Sequence, residues 1–174
     1  VPGCPAITGT ALGTDEQLAA IPRAELLAAF AGIDGTGNPV AATNRLVALD
    51  AAERAKSGLP PPLVYLLGDA TPLYFTVPVL WNTTWDRWPF EEARAAHPNN
   101  PSAWADALRQ RGVTHVLINL AEIDRFRRSD YSPPGMTPDA AARFVRETCT
   151  PIVEWPAMGS GLFALPQPPT PDSR

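Results

Sequence analysis

The stretch GVTHVLINLAEIDRFRRSDY, residues 112–131, decides the fold of this chain. It begins with an apolar run around Val116 and Ile118, which is typical of a strand buried on both faces. The run passes without a break into the charged residues from Glu122 to Asp130. Strands of this kind belong to parallel sheets that are covered by helices, so the stretch predicts an α/β domain with a polar edge after the strand.

Further strands and helices alternate on both sides of this stretch. Working outward, LVYLLGDA at 63–70 and VPVLWN at 77–82 predict strands, and the segments 40–59, 101–112 and 137–149 predict helices. PIVEWP at 151–156 and GLFALP at 161–166 predict a closing β-hairpin. The fold class predicted is therefore α/β: a mostly parallel, Rossmann-like sheet with helices on both faces, a C-terminal β-hairpin and an N-terminal helical segment.

The chain is predicted to form one domain with two flanking stretches. Residues 1–59 are expected to be a loop and helical segment packed on the core, 60–166 the α/β core, and 167–174 a disordered Pro-rich tail. A length of 174 residues with 45% hydrophobic content suffices for one buried core. No apolar run reaches the roughly 18 to 20 residues of a membrane helix, and no signal-peptide pattern is visible, so this piece is expected to be soluble.

Charge and cysteine content exclude several classes of function. The formal net charge is −4 and Lys56 is the one lysine, which argues against nucleic acid as a partner because phosphate recognition needs clustered cations. The two cysteines and two histidines lack metal-site spacing, and no glycine-rich phosphate loop occurs, so neither a metal nor a cofactor is predicted. Cys4 and Cys149 are either two separate thiols or one long-range disulfide.

Polar residues end or follow each predicted strand of the core. Because the carboxyl ends of parallel strands meet at one edge, these residues are predicted to gather along a rim: Asp69, Asn82, Asn119, Glu122 and Arg125. Arg125 is expected to organise the rim by holding Glu122 or Asp69 through paired hydrogen bonds.

Two alternatives concern the chemistry of this region. Asp69 and Glu122 follow different strands and form a candidate pair of catalytic acids, although ion pairing with Arg125 is favoured. His115 is interpreted as a core or strand-end histidine.

A group of six aromatic residues lies close together in the sequence between the predicted strand at 63–70 and the helix at 101–112. We interpret this aromatic group as packing of a long loop against the sheet, which is favoured over a sugar-stacking surface. Its members are Tyr74, Phe75, Trp81, Trp85, Trp88 and Phe90.

Three stretches of this sequence together resemble a known family. They are LVYLLGDATPLYFTVPVLWNTTWDRWPFEE at 63–92, ALRQRGVTHVLINLAEIDRFRRSDY at 107–131, and the closing strands PIVEWP and GLFALP. They resemble the soluble C-terminal domain of bacterial multi-spanning glycosyltransferases of the GT-C class, the mannosyltransferase-like and arabinosyltransferase-like enzymes. In that family a strand ending in Gly-(Asp/Glu)-Ala leads to a tyrosine, which corresponds here to Tyr74 and adds it to the candidate acceptor-binding rim.

The resemblance implies a role without catalysis for this piece. Such enzymes take a sugar from a polyprenyl-phosphate donor, and their catalytic acids lie between early membrane helices that this sequence does not include. The piece would then be an accessory domain on the extracytoplasmic, periplasmic side of a bacterial inner membrane. Its partners would be the membrane portion of the same polypeptide and a carbohydrate or glycolipid acceptor, and the fragment is expected to be a monomer. The alternative is a free-standing, hydrolase-like α/β enzyme that uses Asp69, Glu122 and Arg125.

Overall fold

The computed structural model describes residues 39–83, 85–129 and 135–167, together with Pro22, Ala24, Glu25 and Leu27. Apart from those four residues, the predicted N-terminal segment before Pro39, which includes Cys4, lies outside the described residues, as does the Pro-rich tail beyond Gln167. The proposed disulfide between Cys4 and Cys149 therefore stays a prediction.

The described residues from Pro39 onward form five α-helices and five β-strands. The helices are α1 (Pro39–Lys56), α2 (Pro89–Ala96), α3 (Pro101–Gln110), α4 (Leu120–Arg128) and α5 (Pro138–Thr148). The strands are β1 (Val64–Leu67), β2 (Val79–Leu80), β3 (His115–Asn119), β4 (Thr150–Trp155) and β5 (Ser160–Ala164). Two short 3-10 turns lie at Pro72–Tyr74 and Pro156–Met158.

The strands form one mixed sheet in the order β2-β1-β3-β5-β4. Strands β2, β1 and β3 are parallel, whereas β5 runs antiparallel to both β3 and β4. The α/β fold and the C-terminal hairpin are therefore confirmed. The expectation of a mostly parallel sheet holds only for the three-stranded part, because the hairpin inserts β5 next to β3 in the opposite direction.

Helices cover both faces of the sheet, as predicted. On one face, Tyr65, Val116 and Phe163 pack with residues of α2, α3, α4 and α5. On the other face, Leu66 and Leu117 pack with the buried side of α1. This alternation of adjacent strand residues between two cores follows from the two-residue period of a β-strand.

Helix starts follow the local sequence closely. Proline occupies the first turn of α2, α3 and α5, where its missing N–H costs nothing. Side chains cap the next free N–H groups: Asn100 Oδ1 accepts from Ala103 N–H at 3.2 Å, and Thr137 Oγ1 accepts from Ala140 N–H at 3.1 Å.

Three local predictions need correction. The strand predicted over 77–82 contains only the residues of β2, because Pro78 has no N–H to donate to a ladder. The prediction contained no helix over the residues of α2, which starts at Pro89 beside the buried Trp88. Helix α4 was also not predicted, since its many charges mask the single buried apolar residue, Ile123, that holds it on the sheet.

Within the parts of the chain that the structure describes, no helix combines the length and the apolar character needed to cross a bilayer.

Candidate binding site at the carboxyl ends of the strands

The end of β1 is fixed against the start of α4 by a glycine. Gly68 has a φ of +83°, in the region that favours glycine. A Cβ atom added to Gly68 would lie 2.6 Å from Cγ1 of Ile123 and 2.7 Å from the carbonyl oxygen of Asn119. No larger residue fits without movement of backbone. This close approach sets Asp69 next to the carboxyl end of β3.

Asp69 is half-buried and shapes the turn that leaves the sheet. Its Oδ1 atom accepts hydrogen bonds from the backbone N–H of Thr71, at 2.9 Å, and from the Thr71 hydroxyl. This is the turn chemistry by which aspartate orders the two residues that follow it. One carboxylate oxygen is therefore engaged in local structure, and Oδ2 is left for other contacts.

Asn119 ends β3 and caps α4. Its Oδ1 atom accepts a hydrogen bond from the N–H of Glu122 at 3.1 Å, which leaves the Nδ2 amino group for other contacts. The backbone N–H of Leu120 donates to the carbonyl oxygen of Gly159 at 2.7 Å, so the hairpin turn is tied to the same helix start. The sheet, α4 and the hairpin thus converge at this point.

A small cavity of about 180 Å³ opens where these elements meet, and we call it the rim cavity. It lies at the carboxyl ends of the neighbouring strands β1 and β3. The chain continues from β1 to β2 at one edge of the sheet and from β3 toward β4 at the other edge. Crevices at such a reversal are the common ligand sites of open α/β sheets. The lining residues are Pro39, Val40, Asp69, Leu117, Asn119, Ala121, Glu122, Met158 and Ser160.

Glu122 and Arg125 form the expected ion pair at the mouth of this region. Nε and an Nη atom of Arg125 each lie 2.8 Å from Oε2 of Glu122. The Arg125 side chain is 61% exposed, and its Cζ lies 4.6 Å from the ring centroid of Phe126. Arg125 therefore neutralises one carboxylate of the rim but is not among the residues that line the cavity. The predicted pairing of Arg125 with Glu122 is confirmed, and its role as organiser of the rim stays a prediction.

Asn82 and Tyr74 lie outside the lining of the rim cavity. The Nδ2 group of Asn82 donates to the carbonyl oxygen of Arg87 at 3.2 Å, which orders the loop after β2. Tyr74 ends the 3-10 turn and is exposed to solvent. Of the six candidate residues, Asp69, Asn119 and Glu122 line one cavity, while Tyr74, Asn82 and Arg125 are not among its lining residues.

The aromatic group divides into a buried and an exposed part. Trp88 and Phe90 are buried, and Trp88 Nε1 donates to the carbonyl oxygen of Thr83 at 3.0 Å, so packing accounts for these two. Leu73 is 95% and Trp85 86% exposed. We call the exposed set Leu73, Tyr74, Trp81 and Trp85 the apolar loop surface.

The remaining candidates for chemistry lie elsewhere or are engaged. His115 begins β3, at the end of the strand opposite the rim, and its Nδ1 lies 2.9 Å from Oγ1 of Thr114. Among the described residues, no group of three histidine, cysteine, aspartate or glutamate side chains is arranged to hold a metal ion.

Sequence reasoning missed the contribution of the hairpin to the cavity. Ser160 faces Asn119 in the β3–β5 register, and its Oγ donates to the carbonyl oxygen of Ile118 at 2.8 Å. Met158, in the turn before it, lines the cavity as well. The sequence carries no local signal for this, because the position of β5 in the strand order decides it.

No protein-family model, curated protein or solved structure matches this chain. The resemblance to GT-C enzymes therefore rests on the three stretches of sequence alone.

Proposed function

We propose that this chain is a non-catalytic accessory domain of a membrane glycosyltransferase that uses a polyprenyl-phosphate sugar as donor. It acts on the extracytoplasmic side of a bacterial inner membrane, where it binds the acceptor or stabilises the membrane portion of the same polypeptide. Its sheet belongs to the Rossmann-like group, with the rim cavity at the reversal between β1 and β3.

The observation that carries this proposal is the apolar loop surface, which follows strand ends at the same edge of the sheet as the rim cavity. Its residues follow the carboxyl ends of β1 and β2, which lie at the same edge because the two strands are parallel. Leu73 and Trp85 are almost fully exposed, and large apolar side chains exposed along one edge of a sheet are candidates for an interaction surface. Tyrosine and tryptophan suit both sugar stacking and a membrane interface, since one ring has an apolar body and a polar tip.

The state of the two carboxylates also supports binding rather than catalysis. Asp69 is held by Thr71, and Glu122 is paired with Arg125. Each carboxylate thus already accepts a hydrogen bond from a neighbouring group of the chain and has a second oxygen that can accept one from a ligand. Both acids are therefore better suited to accept hydrogen bonds from hydroxyl groups.

The experiment that tests the proposal is a titration of the ¹⁵N-labelled chain with acceptor oligosaccharides, followed by NMR. We expect amide shifts in Asp69–Tyr74 and Asn119–Glu122, and no glycosyl transfer when a polyprenyl-phosphate sugar is added. The reading frame upstream of Val1 is expected to encode several hydrophobic spans of roughly 20 residues each. Turnover by the isolated chain would overturn the proposal.

A free-standing α/β enzyme is the second candidate, because Asp69 and Glu122 line the same cavity. A glycosidase of this kind would place its two acids on either side of the scissile bond. Incubation with chromogenic aryl glycosides would then give hydrolysis that Asp69→Asn abolishes. Lack of hydrolysis across α- and β-linked substrates counts against this candidate.

A further inference from the structure

A second, larger cavity lies on the opposite face of the sheet from the rim cavity, and we call it the hairpin groove. It runs between α5 and the β4–β5 hairpin and has a volume of about 420 Å³. Small-molecule sites typically occupy roughly 300 to 1,000 Å³ and are lined mainly by apolar side chains. The floor fits this description, since Ile118, Val145 and Phe163 belong to the core packed under α2–α5.

The groove exists because one face of the edge strand is not covered by a helix. Val153 and Trp155 of β4 point to the core on the α1 side. Pro151 and Glu154 line the groove instead and are exposed. Helix α5 packs above β5 and forms the facing wall with Val145 and Arg146. The groove therefore has one helical wall and one strand wall.

The two walls carry opposite charges that do not neutralise each other. Arg146 lies on the helical wall and Glu154 on the strand wall, and neither forms an ion pair within the described parts of the chain. The neighbouring Arg143 and Glu147 of α5 form an ion pair, with 2.8 Å between Arg143 Nε and Glu147 Oε1. Their two charges therefore neutralise each other. The groove thus presents one guanidinium and one carboxylate with a net charge near zero.

Cys149 adds a neutral, apolar element at the end of α5. Burial raises the pKa of its thiol to about 11, against smaller opposing effects of Thr148 and Arg109. The thiol is therefore protonated at neutral pH and behaves as a small apolar side chain. The charges offered to a ligand are those of Arg146 and Glu154.

We propose that the hairpin groove binds a single-chain zwitterionic amphiphile. The aliphatic chain lies on the floor formed by Ile118, Val145 and Phe163. The anionic group of the head bonds to the Arg146 guanidinium, and the cationic group faces the Glu154 carboxylate. A head group with only a negative charge would be repelled by the Glu154 carboxylate, and one with only a positive charge would be repelled by the Arg146 guanidinium. A head group that carries both charges therefore fits the two walls best.

The test uses octylphosphocholine below its critical micelle concentration, titrated into the ¹⁵N-labelled chain. We expect shifts of the Ala142, Cys149 and Gly159 amides, which line the groove. Octanoate and octylammonium have the same chain length but lack one of the two charges, and each is expected to bind about tenfold more weakly. Octyl glucoside lacks both charges and is expected to bind more weakly than either. Equal affinity for all four compounds overturns the proposal, because apolar partition would then explain the binding.

Matched variants on α5 and β4 separate the charges of the groove from charge in general. Arg146→Gln and Glu154→Gln are each expected to weaken octylphosphocholine binding about tenfold. Arg143→Gln and Glu147→Gln, from the ion pair outside the groove, are expected to leave it unchanged. Equal losses in both sets overturn the proposal.

A further readout needs no variant. Octylphosphocholine is expected to slow the alkylation of Cys149, measured by peptide mass spectrometry at alkaline pH. Unchanged Cys149 alkylation at saturating amphiphile places the ligand elsewhere and also overturns the proposal.

Discussion

At the scale of single residues, Gly68 is the position of the site that should tolerate substitution least. It combines a left-handed backbone with two contacts that a Cβ atom would violate. We expect Gly68→Ala to lower the free energy of unfolding by about 1 to 3 kcal/mol, and to shift the amides of Asp69 and Asn119. Urea unfolding and NMR measure the two effects.

Gly58 is the matched control for this substitution. It also has a positive φ, of +67°, but no atom lies within 4 Å of an added Cβ. Gly58→Ala therefore tests backbone strain without a clash and should cost less than Gly68→Ala. Equal costs would mean that the close packing of β1 on α4 contributes nothing to stability.

Arg125 gives a contrasting expectation, because its ion pair with Glu122 is exposed. Surface pairs contribute little, since solvent screens the charges and two side chains lose freedom. Arg125→Ala should leave the urea midpoint unchanged within error. A clear loss of stability would show that Arg125 makes a buried contact as well.

At the scale of elements, the junction of β3 with α4 can be divided into a structural and a binding role. Asn119→Ala removes the cap of α4 and should cost about 1 kcal/mol, whereas Asn119→Ser keeps a capping oxygen and should recover most of that loss. Neither variant keeps the Nδ2 amino group of Asn119, a residue that lines the rim cavity. We therefore expect acceptor binding to be weakened in both variants. If Asn119→Ser restores acceptor binding together with stability, Asn119 acts only as a cap.

The same junction shows what the sequence can and cannot predict. A run such as Val116–Ile118 predicts a buried strand, and a following asparagine predicts its end, because both signals are local. The ion pair of Glu122 with Arg125 follows from helical spacing and is confirmed. Ser160 lies 41 positions after Asn119 in the sequence and faces it only because β5 inserts beside β3. No local pattern encodes that strand order.

The prediction that the aromatic residues pack against the sheet holds only in part, for a different reason. Six large rings close in sequence indicate packing, and packing holds for Trp88 and Phe90. Trp85 and Tyr74 are exposed, because the two-residue β2 at the edge of the sheet offers them little surface to cover. Composition alone does not distinguish rings that fill a core from rings that face outward.

At the scale of the whole molecule, the apolar loop surface should be dispensable for folding and required for binding. Replacing both Leu73 and Trp85 with Ser should leave the free energy of unfolding within about 0.5 kcal/mol, since neither side chain is buried. Acceptor titrations followed by NMR should lose their shifts. If the double variant retains these amide shifts, the acceptor binds to the rim cavity without help from the apolar loop surface.

The two edges of the sheet have a consequence for self-association. An open edge invites another chain to add a strand, and proteins resist this with short edges, prolines and irregular pairing. Here β2 offers only two residues, while β4 carries Pro151 and a shift in register between Pro151 and Val153. Neither edge is a long, regular template for a growing fibril. The chain is therefore protected against strand-by-strand aggregation at both ends of its sheet, even though it displays tryptophan and leucine to solvent.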